Sequence, residues 1–164
     1  LHKAIRRQRQ MCIRDSIKTG GIESVIDYYK KLGESYYQEL LDMLVFDAVI
    51  LNEDRHFGNF GFLIDNKSNK IVGCAPIFDN GLSLLCYAMD DDFKNINQYI
   101  QTRLPATYQD FIAFVKPRMT KRQKEKLRKL IGFKFESHYK YRLPRKRLKY
   151  LEEIIQKRVL ELLE

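Results

Sequence analysis

A mainly helical α+β domain is predicted by three observations. Apolar residues recur at helical spacing over most of the chain, two short β-type runs flank a single turn, and 164 residues with 45% hydrophobic content suffice for one packed core. A chain of this length buries roughly 70% of the surface its unfolded form exposes, so neither disulfides nor metal are required to hold the core. Ile22, Val25, Ile26, Tyr29 and Leu32 follow the Gly20-Gly21 break at helical spacing and stop at Gly33, which suits a helix end. Ser35 is placed to cap the next helix, residues 36–51, which is apolar on nearly every side and reads as the core helix. Polar residues interrupt at 52–59. Residues 60–64 and 70–74 then read as two strands of a hairpin about the turn Asp65-Asn66-Lys67-Ser68-Asn69. Pro76 ends the second strand. Helical segments are expected at 92–101, 108–115, 120–131 and 144–163, punctuated by Pro105 and Pro117, with Thr120 and Pro144 as start signals.

Charge divides the chain. Residues 17–115 carry 8 basic and 14 acidic side chains, whereas 116–158 carry 17 basic and 4 acidic. This asymmetry predicts that the two halves face different partners. Cys12, Cys74 and Cys86 form no CxxC pair, and an odd count argues against a disulfide framework or a zinc site. No run approaches the roughly 20 apolar residues of a membrane span, so the chain is read as soluble and cytoplasmic, with no membrane partner.

The segment that carries chemistry is Asp54-Arg55-His56-Phe57-Gly58-Asn59, between the core helix and the hairpin, with Asp79-Asn80-Gly81 just beyond it. An Asp, an Asn five residues on and a later Asp is the grammar of phosphoryl transfer. One carboxylate orients or deprotonates the attacking hydroxyl, and an amide with a second carboxylate offers oxygen ligands to magnesium. A rigid helix before the first pair and a hairpin before the third residue bring them to one cleft. Phe57, Phe60 and Phe62 are read as core and hairpin residues. Asp65 and Asn66 lack the spacing of a calcium loop and are read as a turn.

The run Leu51-Asn52-Glu53-Asp54-Arg55-His56-Phe57-Gly58-Asn59-Phe60-Gly61-Phe62, with Pro76-Ile77-Phe78-Asp79-Asn80-Gly81, resembles the HipA-like bacterial serine/threonine kinases, including their CtkA-like branch. Its loop is also similar to the Asp-Arg-His-x-x-Asn of phosphatidylinositol kinases. The resemblance is specific over residues 36–85. It implies the C-terminal lobe of a protein-kinase-like fold with the hairpin at the metal site, ATP and Mg2+ as cofactors, Asp54 as catalytic base and His56 as a loop-ordering residue. Asn59 and Asp79 would be the ligands of magnesium and hence of the nucleotide. The other reading of His56 is a packed histidine bonded to backbone. Asn80 departs from the Phe of the common Asp-Phe-Gly triplet. A protein substrate, an antitoxin-like partner and, for the CtkA-like branch, secretion as an effector are further implications.

That fold implies a preceding lobe with a phosphate-covering loop and an ATP lysine, but only 37 residues stand between residue 16 and Asp54, without a Gly-rich loop. The stretch from Arg6 to Ser16 resembles one reading frame of a transposase mosaic-end sequencing adapter. Residues 1–16 are therefore expected to be foreign and irregular, Cys12 not to be a native thiol, and the native chain to continue upstream. Residues 17–164 are then the domain, with a catalytic core at 17–89 and a basic helical subdomain at 90–164. A truncated kinase lobe, inactive alone, is the expectation. The alternatives are an aminoglycoside-type phosphotransferase, whose loop contains Asp-x-His-x-x-Asn, and a non-catalytic basic module that grips nucleic acid or an acidic partner from Lys116 to Arg158. A solvated helix face is the plain reading of that basic stretch.

Overall fold

The computed structural model describes residues 8–12, 20–136, 138–140 and 142–164, with the backbone alone described for 8–12. In chain order the elements are β1 (Gln8–Cys12), α1 (Gly21–Leu32), α2 (Glu34–Ile50), β2 (Gly61–Asp65), β3 (Ile71–Cys74), α3 (Ile96–Gln101), α4 (Phe111–Val115), α5 (Lys121–Arg128) and α6 (Arg145–Leu163). Short 3-10 turns lie at Phe57–Asn59, Asp92–Asn95 and Lys116–Arg118. The class is α+β and mainly helical, as expected. Among the described residues no helix is long and apolar enough to cross a membrane.

Gly33 ends α1 and begins α2 at once, with φ 132, a backbone state that side chains rarely adopt. Its N–H bonds the carbonyls of Lys30 and Tyr29, and its carbonyl accepts from Tyr37 N–H. The second helix thus starts at Glu34, one residue before the expected Ser35 cap, because the Gly33 corner already sets the entry angle. Residues of α2 and the apolar face of α1 join Ile154, Ile155, Val159 and Leu162 of α6 in one core. The hairpin is fixed to the helices by Phe62, fully buried among Tyr28, Tyr29 and Tyr36 at ring distances of 5.8, 4.6 and 6.1 Å. Tilted and edge-on aromatic contacts of this kind each add about 0.5–1.5 kcal/mol beyond burial.

The two hairpin strands pair antiparallel with a bulge at Leu63/Ile64, where Leu63 faces Gly73 and Ile64 faces Ile71. The expected turn forms: Asp65 Oδ1 accepts from the N–H groups of Lys67 and Ser68 and from Ser68 Oγ, which holds that carboxyl below its usual pKa. A third strand was not expected. Gln8–Cys12 pairs antiparallel with β2, so over these residues the expectation of an irregular segment is corrected; residues 1–7 and 13–16 lie outside the described residues. The physical reason is that an open sheet edge offers a row of backbone donors and acceptors to any extended segment, whatever its side chains.

The acidic and basic halves partly face each other. Arg118 pairs with Glu23 at 2.7 Å, and Arg122 and Lys126 both reach Asp42 Oδ2, at 2.8 and 2.6 Å. Arg158 is buried, donates to the Ala48 carbonyl at 3.0 Å and is held below its usual pKa by that burial. Arg147 donates to the carbonyls of Leu85 and Ala88. Gln123, buried on α5, accepts from Thr120 N–H and donates to Gln38 and Asp42 on α2, so the Thr120 start signal doubles as an interhelical tie. Pro144 precedes α6 as expected.

Burial and the Glu39 carboxylate push the Cys74 thiol up to about 12, whereas Cys86 is exposed. Alkylation at pH 8 followed by peptide mapping should therefore label Cys86 well before Cys74, since the thiolate is the reacting species. Equal rates at the two positions would contradict the half-buried setting of Cys74.

Candidate functional site

The site is assembled by the way α2 ends. Leu51, fully buried and at φ 53, turns the chain out of the helix, and Asn52 N–H bonds the Asp47 carbonyl at 3.0 Å. A left-handed backbone costs a branched side chain about 1–2 kcal/mol, so the surrounding packing must hold it there. Two backbone bonds then join this turn to the segment after the hairpin: Glu53 N–H to the Leu82 carbonyl at 3.0 Å and Leu84 N–H to the Ile50 carbonyl at 2.7 Å. The loop bearing Asp54 and the loop bearing Asp79 are thereby stitched side by side.

Arg55 locks them. It is fully buried and forms a two-pronged pair with Asp47 of α2, Nε to Oδ2 at 2.8 Å and Nη2 to Oδ1 at 2.9 Å. The same guanidinium donates to the Phe78 carbonyl at 2.8 Å and to Asn80 Oδ1 at 2.7 Å, the two residues flanking Asp79. Asn52 completes the network: its Nδ2 donates to Asp47 Oδ1 at 2.9 Å and to Asn80 Oδ1 at 3.4 Å, and its Oδ1 accepts from Asp54 N–H at 3.3 Å. A buried charge is tolerated when its partners are well placed and its remaining donors are satisfied, as they are here. Asn80 thus acquires a role that a Phe could not fill, since its carbonyl accepts from both Arg55 and Asn52. Tyr108 lies close enough to Asp47 for that carboxylate to add to the burial that pushes its phenol up.

At the surface of this network, ligand atoms of Asp54, His56 and Asp79 lie within 4.8 Å of one another. Asp54 is partly buried and the other two are exposed. Asp79 sits at φ 57, which Asp tolerates better than most residues. Asn59 is buried, and its Nδ2 donates to the Asp54 carbonyl at 2.9 Å. His56 is exposed, so the packed-histidine reading is corrected, while its bond to backbone is present: Nδ1 accepts from Gly58 N–H at 3.0 Å and caps the turn at Phe57–Asn59. With Nδ1 committed as acceptor, the neutral ring carries its proton on Nε2 and presents a donor. Phe60 and Phe62 are fully buried, as expected of core and hairpin residues.

The arrangement brings two carboxylates and an imidazole together at one exposed edge of the network. Carboxylate oxygens are hard donors of the kind that divalent cations such as magnesium prefer. Of the sequence candidates Asp54, His56, Asn59 and Asp79, the structure groups Asp54, His56 and Asp79, and the tie through Asp47, Asn52, Arg55 and Asn80 was missed. One signal was available: Asp47 is a charge amid the apolar run of α2, and such a charge requires a partner. No family model, no curated protein and no solved structure matches the chain.

Proposed function

We propose that the chain is the catalytic-loop half of a magnesium-dependent, HipA-like serine/threonine kinase, which moves the γ-phosphoryl group of ATP to a protein hydroxyl. The observation that carries this reading is the juxtaposition of Asp54, His56 and Asp79 over the Arg55 tie. Asp54 orients the acceptor hydroxyl and takes its proton. His56 Nε2–H donates toward an anionic oxygen, and its Nδ1 keeps the loop in shape. Asn59 and Asp79 would hold Mg2+, which when bound supplies charge neutralisation to the triphosphate. The ordering of the loop is built in by Arg55 and Asn52 and costs nothing at the moment of reaction. A second lobe with a phosphate cover and an ATP lysine belongs to this reading, so the 164-residue chain alone is expected to give no turnover.

Mn2+ serves as a paramagnetic probe of the cation site. Titrated into the full chain, it should broaden the amide resonances of residues 54–59 and 79–81 first, and Asp79→Asn should remove that selectivity. Broadening centred on Asp90-Asp91-Asp92 instead would sink the assignment. Comparing protein and aminoglycoside acceptors in a two-lobed protein separates the kinase from the small-molecule phosphotransferase.

A second reading is favoured by one feature, the exposed basic stretch that runs from His138 into the first turns of α6. Tyr139 is 82% exposed and stacks on His138 at 4.8 Å, and Lys140, Arg142, Arg145, Lys146 and Lys149 are exposed around it. Arg147 and Arg158, which donate to the Leu85 and Ala48 carbonyls, are withdrawn from the Lys116 to Arg158 span as phosphate contacts. Single-stranded nucleic acid would find cations for its phosphates and an aromatic stack for a base there. An antitoxin-like or acidic protein partner would use the same charges.

A further inference from the structure

We propose that Arg147 of α6 is a positioning residue for the Asp79 side of the candidate site, where it clamps the strained segment that follows Asp79 and Asn80. The inference rests on the cation reading of the cluster of Asp54, His56 and Asp79. Arg147 stands in a basic run whose members Arg145, Lys146 and Lys149 are exposed, whereas it is itself partly buried. Helical spacing explains the difference. Arg147 lies four, seven and eight positions before Leu151, Ile154 and Ile155, so it continues the buried stripe of α6 into the first turn.

The segment it meets has an uncommon backbone. Leu84 and Leu85 sit at φ 49 and 53, two successive left-handed residues with bulky side chains. Such a state persists only where the surroundings over-determine it. Burial of Leu85 is one restraint, and the bond from Leu84 N–H to the Ile50 carbonyl at 2.7 Å is a second. Arg147 supplies the third: Nη2 donates to the Leu85 carbonyl at 2.9 Å and Nη1 to the Ala88 carbonyl at 3.0 Å. The Phe93 ring lies 5.1 Å from the guanidinium and stacks on Tyr150 of α6 at 4.9 Å, which orients the fork.

At its other end the segment is joined to the candidate site. Ser83 Oγ donates to the Asn80 carbonyl at 2.7 Å, and the Leu82 carbonyl accepts from Glu53 N–H at 3.0 Å, one residue before Asp54. Asp79 therefore stands between two arginines, Arg55 bonded to its immediate neighbours and Arg147 bonded beyond Leu84. Charge-assisted bonds from a planar fork are stronger than neutral ones, so their loss frees the two leucines to leave the left-handed region. The Leu82 and Asn80 carbonyls would move with them, and the spacing of Asp79 from Asp54 would change.

Amide hydrogen exchange and Mn2+ titration of the full chain test the proposal together. Arg147→Met keeps an unbranched apolar stem and removes the fork. Exchange at Leu84, Cys86 and Ala88, whose N–H groups bond the carbonyls of Ile50, Ser83 and Leu85, should speed up about tenfold. Exchange at Asp65 and Ala75 of the hairpin, bonded to the carbonyls of Lys70 and Gly61, should stay within about twofold of its original rate. Mn2+ affinity at residues 54–59 and 79–81 should fall about tenfold, and Arg147→Lys, which still serves one carbonyl, should recover part of it. Equal acceleration at all five amides would mean a loss of overall stability and would overturn the positioning role. Unchanged Mn2+ affinity in Arg147→Met would overturn it too. The two possible failures are distinguishable: a wild-type chain that does not select Mn2+ at these residues sinks the cation reading, whereas unchanged exchange at Leu84, Cys86 and Ala88 in Arg147→Met sinks the clamp.

Discussion

Arg55→Ala should lose about 3–5 kcal/mol of folding stability, the largest loss expected for any single change in the site, read from urea unfolding. The substitution strands the fully buried Asp47 carboxylate and leaves the Phe78 carbonyl and Asn80 amide without their shared donor. Arg55→Lys keeps the charge but not the planar fork, so it should fall between the two, unable to reach Asp47 and both flanks of Asp79 together. Asp47→Asn should also destabilise, since it leaves the guanidinium charge uncompensated in the interior. A change below about 0.5 kcal/mol for Arg55→Ala, the size typical of surface substitutions, would show that the tie is not what holds the two loops.

Asp54→Asn in a two-lobed protein should reduce phosphotransfer by about 10²–10⁴-fold while leaving the unfolding midpoint nearly unchanged. The side chain is only partly buried, and Asn preserves its shape while giving up the basic oxygen. Asp79→Asn should abolish transfer as well. Asn is the right replacement there because it tolerates φ 57, whereas Ala would mix backbone strain into the result. Asp65→Asn, at the hairpin turn and remote from the cluster, should be nearly silent in transfer. The pattern separates roles: Arg55 variants should fail in stability and activity together, whereas Asp54 and Asp79 variants should fail in activity alone. Wild-type transfer by either Asp variant would overturn the assignment.

The first helix and the starts of α5 and α6 were legible because each obeys a local rule, whereas residues 92–95 form a 3-10 turn and the helix expected at 108–115 begins only at Phe111. Spacing of Ile22, Val25, Ile26 and Tyr29 predicted α1, and Thr120 and Pro144 marked the starts of α5 and α6. The hairpin was legible from its turn, whose Asp65 side chain forms the bonds its residue type suggests. Candidate residues Asp54, His56, Asn59 and Asp79 stood out because polar groups with fixed spacing interrupt apolar surroundings. The pairing of β1 was not legible, since it depends on backbone edges rather than side-chain pattern. The roles of Arg122, Lys126, Arg147 and Arg158 were hidden as well, because a run of basic residues reads the same whether its members face solvent or pair with carboxylates and carbonyls far away in the chain.

What the sequence determined by itself, then, was the set of elements and the order of the chemistry-bearing residues along them, because propensity, periodicity and capping act over a few neighbouring positions. The tertiary structure alone decided that Arg55 joins Asp47 to both neighbours of Asp79, that acidic and basic halves partly neutralise each other, and that Arg147 reaches the segment beyond Asp79. Those outcomes rest on contacts between residues from 8 to 110 positions apart. Burial removes the solvent that would otherwise satisfy such groups, and which partner replaces it depends on packing rather than on local pattern.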